Sequence, residues 1–270
     1  MKKIILIIFI LFIVLFTGCK PSFDQATTQE LEQCKSEIDI GTCYARLGIE
    51  KSNEDICLII ENKYAREGCL RKVGIAKADT SICDKIKEDP DEKESCYKEI
   101  AVNTNNMAIC EEISKIQSLC YQQFAIKNND VTICDNVEEQ YGRDQCYSYV
   151  AKEFLDPEIC PQIELEDWKN QCWRYMAEGL KDESYCEKVK LEVFIEGKMV
   201  PSGARLHCYY FTARAKNDYT ICHKMTKDSS YKDTCYYDVA IAVKDPSICD
   251  YMRDESANKD GCYYFASSEE

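Results

Sequence analysis

The chain has 270 residues and a formal net charge of −14, with 19 cysteines but only 10 glycines and 6 prolines. The shortage of glycine and proline disfavours a turn-rich β fold and favours helices. A surface this acidic repels phosphate groups, which excludes nucleic acid as a partner and argues against simple adhesion to anionic lipid. So many cysteines predict disulfides and an oxidising compartment.

The N-terminus has the parts of an export signal. Lys2 and Lys3 precede an unbroken apolar run over residues 4–16. As a helix this run spans about 20 Å, which is too short for the roughly 30 Å hydrocarbon core of a bilayer. It is therefore typical of the apolar region of a signal peptide. Residues 16–19, with the sequence Phe-Thr-Gly-Cys, resemble the lipobox of prokaryotic lipoproteins.

The lipobox resemblance implies a division of the chain into three parts. Residues 1–18 would be a removable signal peptide, Cys19 would carry a diacylglycerol, and residues 19–30 would form a polar tether before a repeat domain over residues 31–267. An uncleaved membrane anchor is the alternative, and both interpretations place the remaining chain outside the cytoplasm. We therefore expect a lipoprotein of the cell envelope that is joined to the membrane by the lipid on Cys19.

The other eighteen cysteines follow a regular spacing. Numbered in chain order, each even-numbered cysteine is followed by the next one after 14 residues, while the remaining steps range from 9 to 22 residues. Eight identical steps predict a tandem repeat of about 26 residues that occurs nine times. A repeat of this size is too small to bury a core alone, so the repeats must stack.

Each repeat has a predicted short helix around its first cysteine. Four residues before this cysteine, repeats two to nine have an asparagine or aspartate, which are preferred N-cap residues. Apolar residues one before and three after the cysteine complete a helical stripe and predict a helix of about eight to ten residues. The predicted N-caps are Asn53, Asp79, Asn106, Asp130, Asp156, Asp182, Asp218 and Asp245.

The second cysteine lies in a longer predicted helix. An aromatic residue follows it in eight of nine repeats, a small residue stands five positions after it, and the next N-cap comes ten positions after it. We predict an all-α fold, a right-handed type of α-solenoid of about nine short disulfide-linked αα-hairpins with one small β-hairpin-like insertion. In architecture, residues 31–267 are loosely similar to the helical-hairpin repeats of tetratricopeptide and Sel1-like proteins.

Two disulfide patterns fit the cysteine spacing. Pairing within each hairpin uses all eighteen cysteines, whereas pairing across the 14-residue step leaves Cys34 and Cys262 over, so we favour the first. A metal site is not expected, because there is no C-x-x-C motif and there are only two histidines, and no cofactor is expected either. The within-hairpin pairs are Cys34–Cys43, Cys57–Cys69, Cys83–Cys96, Cys110–Cys120, Cys134–Cys146, Cys160–Cys172, Cys186–Cys208, Cys222–Cys235 and Cys249–Cys262.

Repeat seven carries an insertion over residues 190–205, in which residues 193–200 predict a small β-hairpin that turns near residues 196–197. The insertion is either a finger that contacts a partner or a tolerated loop.

The aromatic residue after each second cysteine either belongs to a ladder that binds glycan or peptide or packs between repeats. Neighbours on a helix do not share a face, so tyrosine doublets predict an exposed aromatic strip. The candidate binding surface is Phe194, Tyr210, Tyr237 and Tyr264.

No catalytic motif stands out in the sequence. His207 and His223 each neighbour a cysteine, but a disulfide-bonded cysteine is no nucleophile, so we do not expect an enzyme. We expect a lipid-anchored extracytoplasmic scaffold or protein-binding solenoid, with an envelope protein or peptide as its partner. The alternatives are a thiol-based redox or metal-storage protein of the envelope and an envelope hydrolase with an unrecognised site.

Overall fold

The computed structural model describes residues 21–190, 192–195, 198–201, 203–226 and 230–268. Within these ranges the chain forms twelve α-helices, six 3-10 helices and one two-stranded sheet. The predicted signal peptide and Cys19 lie outside the described residues. The predicted all-α repeat fold with disulfides is confirmed, and its right-handed sense stays a prediction.

The residues group into two compact units, Met1–Ser114 and Lys115–Glu270. The described part of the N-terminal unit contains α1 (Gln25–Cys34), α2 (Ile40–Glu50), α3 (Glu54–Leu58), α4 (Lys63–Lys77), α5 (Thr80–Cys83), α6 (Pro90–Thr104) and a 3-10 helix (Met107–Glu112).

The C-terminal unit continues the same alternation of short and long helices. Its long helices are α7 (Gln117–Asn128), α8 (Gln140–Phe154), α9 (Glu166–Gly179), α10 (Ala204–Lys216), α11 (Ser230–Val243) and α12 (Lys259–Ser267). Between them lie 3-10 helices at Val131–Asn136, Cys160–Gln162, Glu183–Lys188, Tyr219–Lys224 and Pro246–Tyr251, and the strands β1 (Glu192–Ile195) and β2 (Lys198–Pro201).

Within each unit the long helices stack in chain order. In the N-terminal unit α4 packs against α2 and α6, and in the C-terminal unit each helix from α7 to α11 packs against the next. A short helix between two long helices of one unit packs against both. This packing of neighbour on neighbour is that of a solenoid, with the cysteines at the centre of its core.

In repeats two to nine the short helices are shorter than the predicted eight to ten residues, whereas α1 in repeat one has ten. In those eight repeats they have three to six residues, and from Met107 onward they are 3-10 helices. The helix Val131–Asn136 is followed by Val137, whose backbone is already extended and whose N–H bonds back to the carbonyl of Cys134. The predicted length was wrong because the apolar residue three after the cysteine begins the extended connection to the long helix.

Most predicted N-cap side chains accept a hydrogen bond from the backbone N–H two residues ahead. Asn106 is an N-cap residue without such a bond. Asp156 accepts from the Glu158 N–H at 2.9 Å, yet the helix begins only at Cys160. Pro161 explains this delay, since it has no N–H for the carbonyl of Glu158. The bonded N-cap side chains are Asn53, Asp79, Asp130, Asp182, Asp218 and Asp245.

The end of each long helix sets the constant spacing between repeats. In eight repeats the residue nine positions after the second cysteine has a positive φ. The N–H of the following N-cap residue then bonds to the carbonyl of the small residue five after the cysteine, as from Asn53 to Gly48 at 2.8 Å. This Schellman-type ending fixes ten residues between the second cysteine and the next N-cap, so length changes fall in the loop inside each hairpin.

The insertion of repeat seven forms strands β1 and β2. They pair antiparallel, with Val193 opposite Val200 and Phe194 opposite Met199. The predicted turn at residues 196–197 lies outside the described residues.

Candidate interaction surface

Disulfides close the hairpins in the within-hairpin pattern. Cys110 and Cys120 are disulfide-bonded as well. Most of these cysteines are fully buried, so each bridge ties the two helices of a hairpin together from inside the core. The bridges are Cys34–Cys43, Cys57–Cys69, Cys83–Cys96, Cys134–Cys146, Cys160–Cys172, Cys186–Cys208, Cys222–Cys235 and Cys249–Cys262.

A side-chain hydrogen bond lies beside most of these disulfides. In repeat three the hydroxyl of Tyr97, the residue after the second cysteine, donates to Asp84, the residue after the first, at 2.7 Å. Burial and the bond to Asp84 raise the pKa of Tyr97, and bonds from Tyr97 and Lys93 lower the pKa of Asp84. The same two positions are joined in the pairs Tyr147–Asp135, Tyr209–Glu187, Tyr236–His223 and Tyr263–Asp250.

The sequence carries a signal for these pairs that cysteine spacing misses. Where the second cysteine is followed by Leu70 or Trp173 in place of tyrosine, the first cysteine is followed by Leu58 or Pro161 in place of an acid. Four of the paired tyrosines are also buried. The aromatic residue after the second cysteine therefore braces its own hairpin and is not arranged as an exposed ladder.

Buried polar residues join five of the repeats to the repeat that follows. Two positions before the second cysteine, Asp144 accepts a hydrogen bond from the N–H of Leu165 in the following repeat at 2.7 Å. The Glu67 carboxylate accepts from two backbone N–H groups of the following loop, the nearer being that of Glu88 at 2.8 Å. Glu94, Asn170 and Asp233 make equivalent bonds. These bonds satisfy loop N–H groups that stacking removes from water.

The small residue five after the second cysteine lies against the disulfide of the next repeat. A Cβ added at Gly48 would stand 2.9 Å from Sγ of Cys69 and 3.1 Å from Sγ of Cys57. A Cβ at Gly74 would stand 3.2 Å from Sγ of Cys96. At these two positions the long helix thus lies against the bridge that follows it, and only a small side chain permits so close an approach.

Aromatic side chains form a continuous row on successive long helices of the C-terminal unit. Trp168 contacts Tyr141 and Tyr149, with ring centroids 5.4 and 5.9 Å apart, and Tyr149 lies 5.9 Å from Tyr175. The guanidinium carbon of Arg174 lies 4.8 Å from the ring centroids of both Tyr175 and Phe211, so a cation links these two rings. We call these side chains the aromatic row: Tyr141, Tyr149, Trp168, Arg174, Tyr175 and Phe211.

The row borders a groove of about 550 Å³ that is lined in part by Glu178, Phe211, Arg214 and Asp238. Arg214 Nε lies 3.4 Å from Asp238 Oδ2, and the Tyr210 hydroxyl donates to the same oxygen. Burial, then the bond to Asp238, raises the pKa of Tyr210. Since this acid already has a cation beside it, the groove offers a ring and aliphatic surface with little unpaired charge.

The four residues predicted as a binding surface do not form one continuous exposed strip. Tyr210 and Tyr237 are half-buried, and position 261 on α12 lies close to the Tyr237 ring. Tyr264 is 71% exposed, and Phe194 lies in β1. The strip is interrupted because each following helix covers part of the tyrosine before it.

Sequence reasoning missed the aromatic row because it considered the positions directly after the second cysteine. The row is instead built from the third position after it, which holds Tyr149, Tyr175 and Phe211 in three consecutive repeats. Aligning this third position along the nine repeats would have found it.

The two histidines contact tyrosines. The His207 ring lies 4.6 Å from the Tyr231 ring, and His223 Nδ1 lies 2.7 Å from the Tyr236 hydroxyl. The cysteines beside them, Cys208 and Cys222, are both in disulfides. Neither histidine therefore has a neighbouring thiol to activate.

Comparison with protein-family models, curated proteins and solved structures finds no match to this chain. Across the described ranges, no helix is both long enough and apolar enough to cross a bilayer. In that same part of the chain, no three histidine, cysteine or acidic side chains are grouped so that they could hold a metal ion.

Proposed function

We propose that this chain is a lipid-anchored scaffold outside the cytoplasm that holds an envelope protein on its aromatic row. The observation that carries the proposal is the row itself, because it is an extended aromatic surface on a framework that has a disulfide in every repeat. Tyrosine, tryptophan and arginine are the residue types that dominate the binding energy of protein interfaces.

The compartment follows from the cysteines. All eighteen cysteines from Cys34 to Cys262 are disulfide-bonded, which is typical of an oxidising space outside the cytoplasm. Thiolate metal binding and thiol storage both need reduced cysteines, so this bonding weighs against the storage alternative. The lipid anchor is supported by the resemblance of residues 16–19 to a lipobox.

Site-specific photocrosslinking tests the partner surface. A photoreactive phenylalanine replaces Tyr141, Phe211 or, as a control in the same unit, Tyr251, which is 51% exposed and lies outside the row. We expect a discrete protein adduct of one mass from positions 141 and 211 in native membranes and none from position 251. The same adduct from all three positions, or none from any, contradicts the proposal.

The anchor is tested separately on the whole chain. We expect Cys19→Ser to move the protein from the membrane fraction to the soluble fraction, and mass measurement of the native N-terminal peptide to show an acyl-modified Cys19. Native protein that stays unacylated with residues 1–18 attached would support the uncleaved anchor. Titration of the native protein should find no reactive thiols; many would favour the redox or storage alternative.

A second surface variant tests the insertion. If β1 and β2 form a contact finger, replacing residues 192–201 with a short Gly-Ser linker should abolish the adduct at position 211 without lowering thermal stability, because the bonds of Lys190 to Asn170 and of Arg205 to Val189 are kept. An unchanged adduct would assign the insertion to tolerated loop decoration.

A further inference from the structure

The bridge Cys34–Cys43 differs in its surroundings from the other disulfides of the described residues. Positions on long helices lie against Cys57–Cys69 and against Cys96 of the next bridge, as Gly48 and Gly74 do. Cys34–Cys43 belongs to the first hairpin, and within the described residues no helix precedes α1. Both cysteines of that bridge line an open pocket of about 170 Å³ and are 4% and 3% exposed, whereas most other bridge cysteines are at 0%.

A cation stands beside one sulfur of this bridge. Arg46 Nη2 lies 3.5 Å from Sγ of Cys43 and 3.1 Å from the carboxylate of Glu37, which itself lies 3.3 Å from the same sulfur. Since Glu37 is paired with Arg46, its charge is offset at the sulfur. The Arg46 N–H groups can donate a hydrogen bond to a thiolate on Cys43, which the Glu37 carboxylate cannot do, so Cys43 is the sulfur with a donor beside it and the leaving group of the two.

We propose that Cys34–Cys43 is a thiol–disulfide exchange site, at which an external thiolate attacks Cys34. The new bond joins the attacking sulfur to Cys34 Sγ, the bridge breaks, and its electron pair leaves on Cys43 as a thiolate beside Arg46. With a dithiol as co-reactant, its second thiolate then displaces Cys34. The dithiol is oxidised to a disulfide, the bridge gains two electrons, and solvent protonates the released thiolates according to their pKa.

The pocket also selects among thiols by charge. Glu30, Glu37 and Glu50 line it together with Arg46. Arg46 pairs with Glu37 and Lys51 pairs with Glu30, so Glu50 gives the lining one carboxylate in excess. An acidic rim slows anionic reagents and speeds cationic ones. The co-reactant that fits is therefore a neutral or cationic thiol, and an anionic thiol fits poorly. This inference is independent of the proposed partner binding, since it concerns the N-terminal unit and uses neither the row nor the lipid.

The test is a time course of reduction on the purified full-length protein in native buffer. Limiting dithiothreitol is added, free thiols are trapped by alkylation, and each bridge is followed by peptide mass mapping. We expect Cys34–Cys43 to open at least about ten times faster than any other bridge, because the enclosed bridges must wait for local unfolding. Opening of another bridge first, or of all bridges together, overturns the proposal.

A charge-matched variant pair tests the role of Arg46. We expect Arg46→Gln to slow opening of Cys34–Cys43 about threefold or more and Arg46→Lys to restore most of the rate, as a thiolate neighbour should. Lys72→Gln is the control, because Lys72 holds the same repeat position beside the enclosed bridge Cys57–Cys69. An unchanged rate in Arg46→Gln removes the assigned leaving group.

A series of small thiols tests the pocket. With rates expressed per thiolate, we expect cysteamine to react faster than 2-mercaptoethanol, and 2-mercaptoethanol faster than 3-mercaptopropionate, with the differences shrinking as salt is raised. Equal rates, or the reverse order, overturn the charge selection. Photocrosslinking at position 211 and membrane fractionation are measured on the same protein, so failure of the exchange site and failure of the scaffold proposal are seen separately.

Discussion

The two compact units use the same repeat but present different side chains at the third position after the second cysteine. In the N-terminal unit this position holds Arg46, Lys72 and Glu99, and in repeats five to seven it holds the rings of the aromatic row. The neighbouring arginine follows the same division. Arg71 pairs with Glu92 and Glu99 at 2.6 Å each, whereas Arg174 lies between Tyr175 and Phe211 and makes a single longer ion pair, at 3.3 Å to Glu178.

The side chains on the surface of a repeat can therefore differ while its framework of disulfides and helix ends stays the same. Both units contain disulfides, buried polar bonds between repeats and the same helix ends. These features close the core of a hairpin and give hydrogen-bond partners to backbone groups. The third position carries none of these bonds. It is therefore free to hold charged side chains in repeats one to three and in repeat eight, and aromatic rings in repeats five to seven.

The largest expected effect tests whether the framework is equal in both units. Cys57–Cys69 and Cys160–Cys172 have the same sequence separation of 12 residues. Replacing both cysteines of either bridge with alanine should lower local stability by about 3 kcal/mol in both units, from lost loop constraint. Hydrogen exchange of the flanking helices measures it, and a loss in one unit alone would break the comparison.

The buried bonds between repeats should give the next largest effect. Asp144→Ala in the C-terminal unit and Glu67→Ala in the N-terminal unit each leave a buried loop N–H without its acceptor. We expect a loss of about 2 kcal/mol in each case. The exposed Asp167→Ala serves as control and should change stability by less than about 0.5 kcal/mol. Hydrogen exchange at Leu165 and Glu88 reports the effect directly.

The two arginines should differ in their response to salt. Arg174→Gln is expected to cost about 1–2 kcal/mol with a weaker salt dependence than Arg71→Gln, because Arg174 contacts two rings and makes only one ion pair, with Glu178. Arg71→Gln should cost less than about 1 kcal/mol, since Arg71 makes ion pairs near the surface, and the loss should fade at 1 M salt. Unfolding of both variants at low and high salt checks this. The same salt dependence in both would erase the distinction between the surfaces.

Alkaline titration tests the tyrosine that bonds inside its own hairpin in repeat eight, Tyr236. Burial and the charge of Asp233 raise the pKa of Tyr236 to about 12. Because the folded-state pKa lies above the ordinary tyrosine value, the stability that this tyrosine contributes is complete below that ordinary value and is lost as pH rises through about 12. We expect Tyr236→Phe to remove an absorbance step near pH 12 at the tyrosinate band; removal of a step near pH 10 would contradict this.

The smallest effect concerns the helix ends, which the units share. Ala78 and Lys181 have φ of 53° and 55°, in the left-handed region that glycine adopts without strain. Ala78→Gly and Lys181→Gly should each raise stability by about 0.5–1 kcal/mol, measured by thermal unfolding. Lys181→Ala keeps a Cβ and should give no such gain. A destabilising Lys181→Gly would show that its side chain matters more than its backbone.

Local bonding explains why much of this protein follows from sequence. Three features depend on groups that are close together in the sequence, as Asn53 and Gly48 are. These are the N-cap bonds, the constant step to the next repeat and the pairing of cysteines within each hairpin. Such contacts leave a regular pattern in the cysteine spacing. The repeat number and the place of the insertion follow from that pattern, whereas the β-hairpin follows from the residue types over 193–200.

Stacking decided the rest. The short helices stop early because the chain must extend to reach the long helix, and the row forms only where rings from successive repeats meet, as Tyr175 and Phe211 do around Arg174. Whether a bridge is enclosed, as Cys57–Cys69 is, depends on the helix packed over it. Contacts within one repeat can be predicted from residue order. Packing contacts between repeats cannot, because they depend on how two helix surfaces fit and not on the spacing of residues along either one.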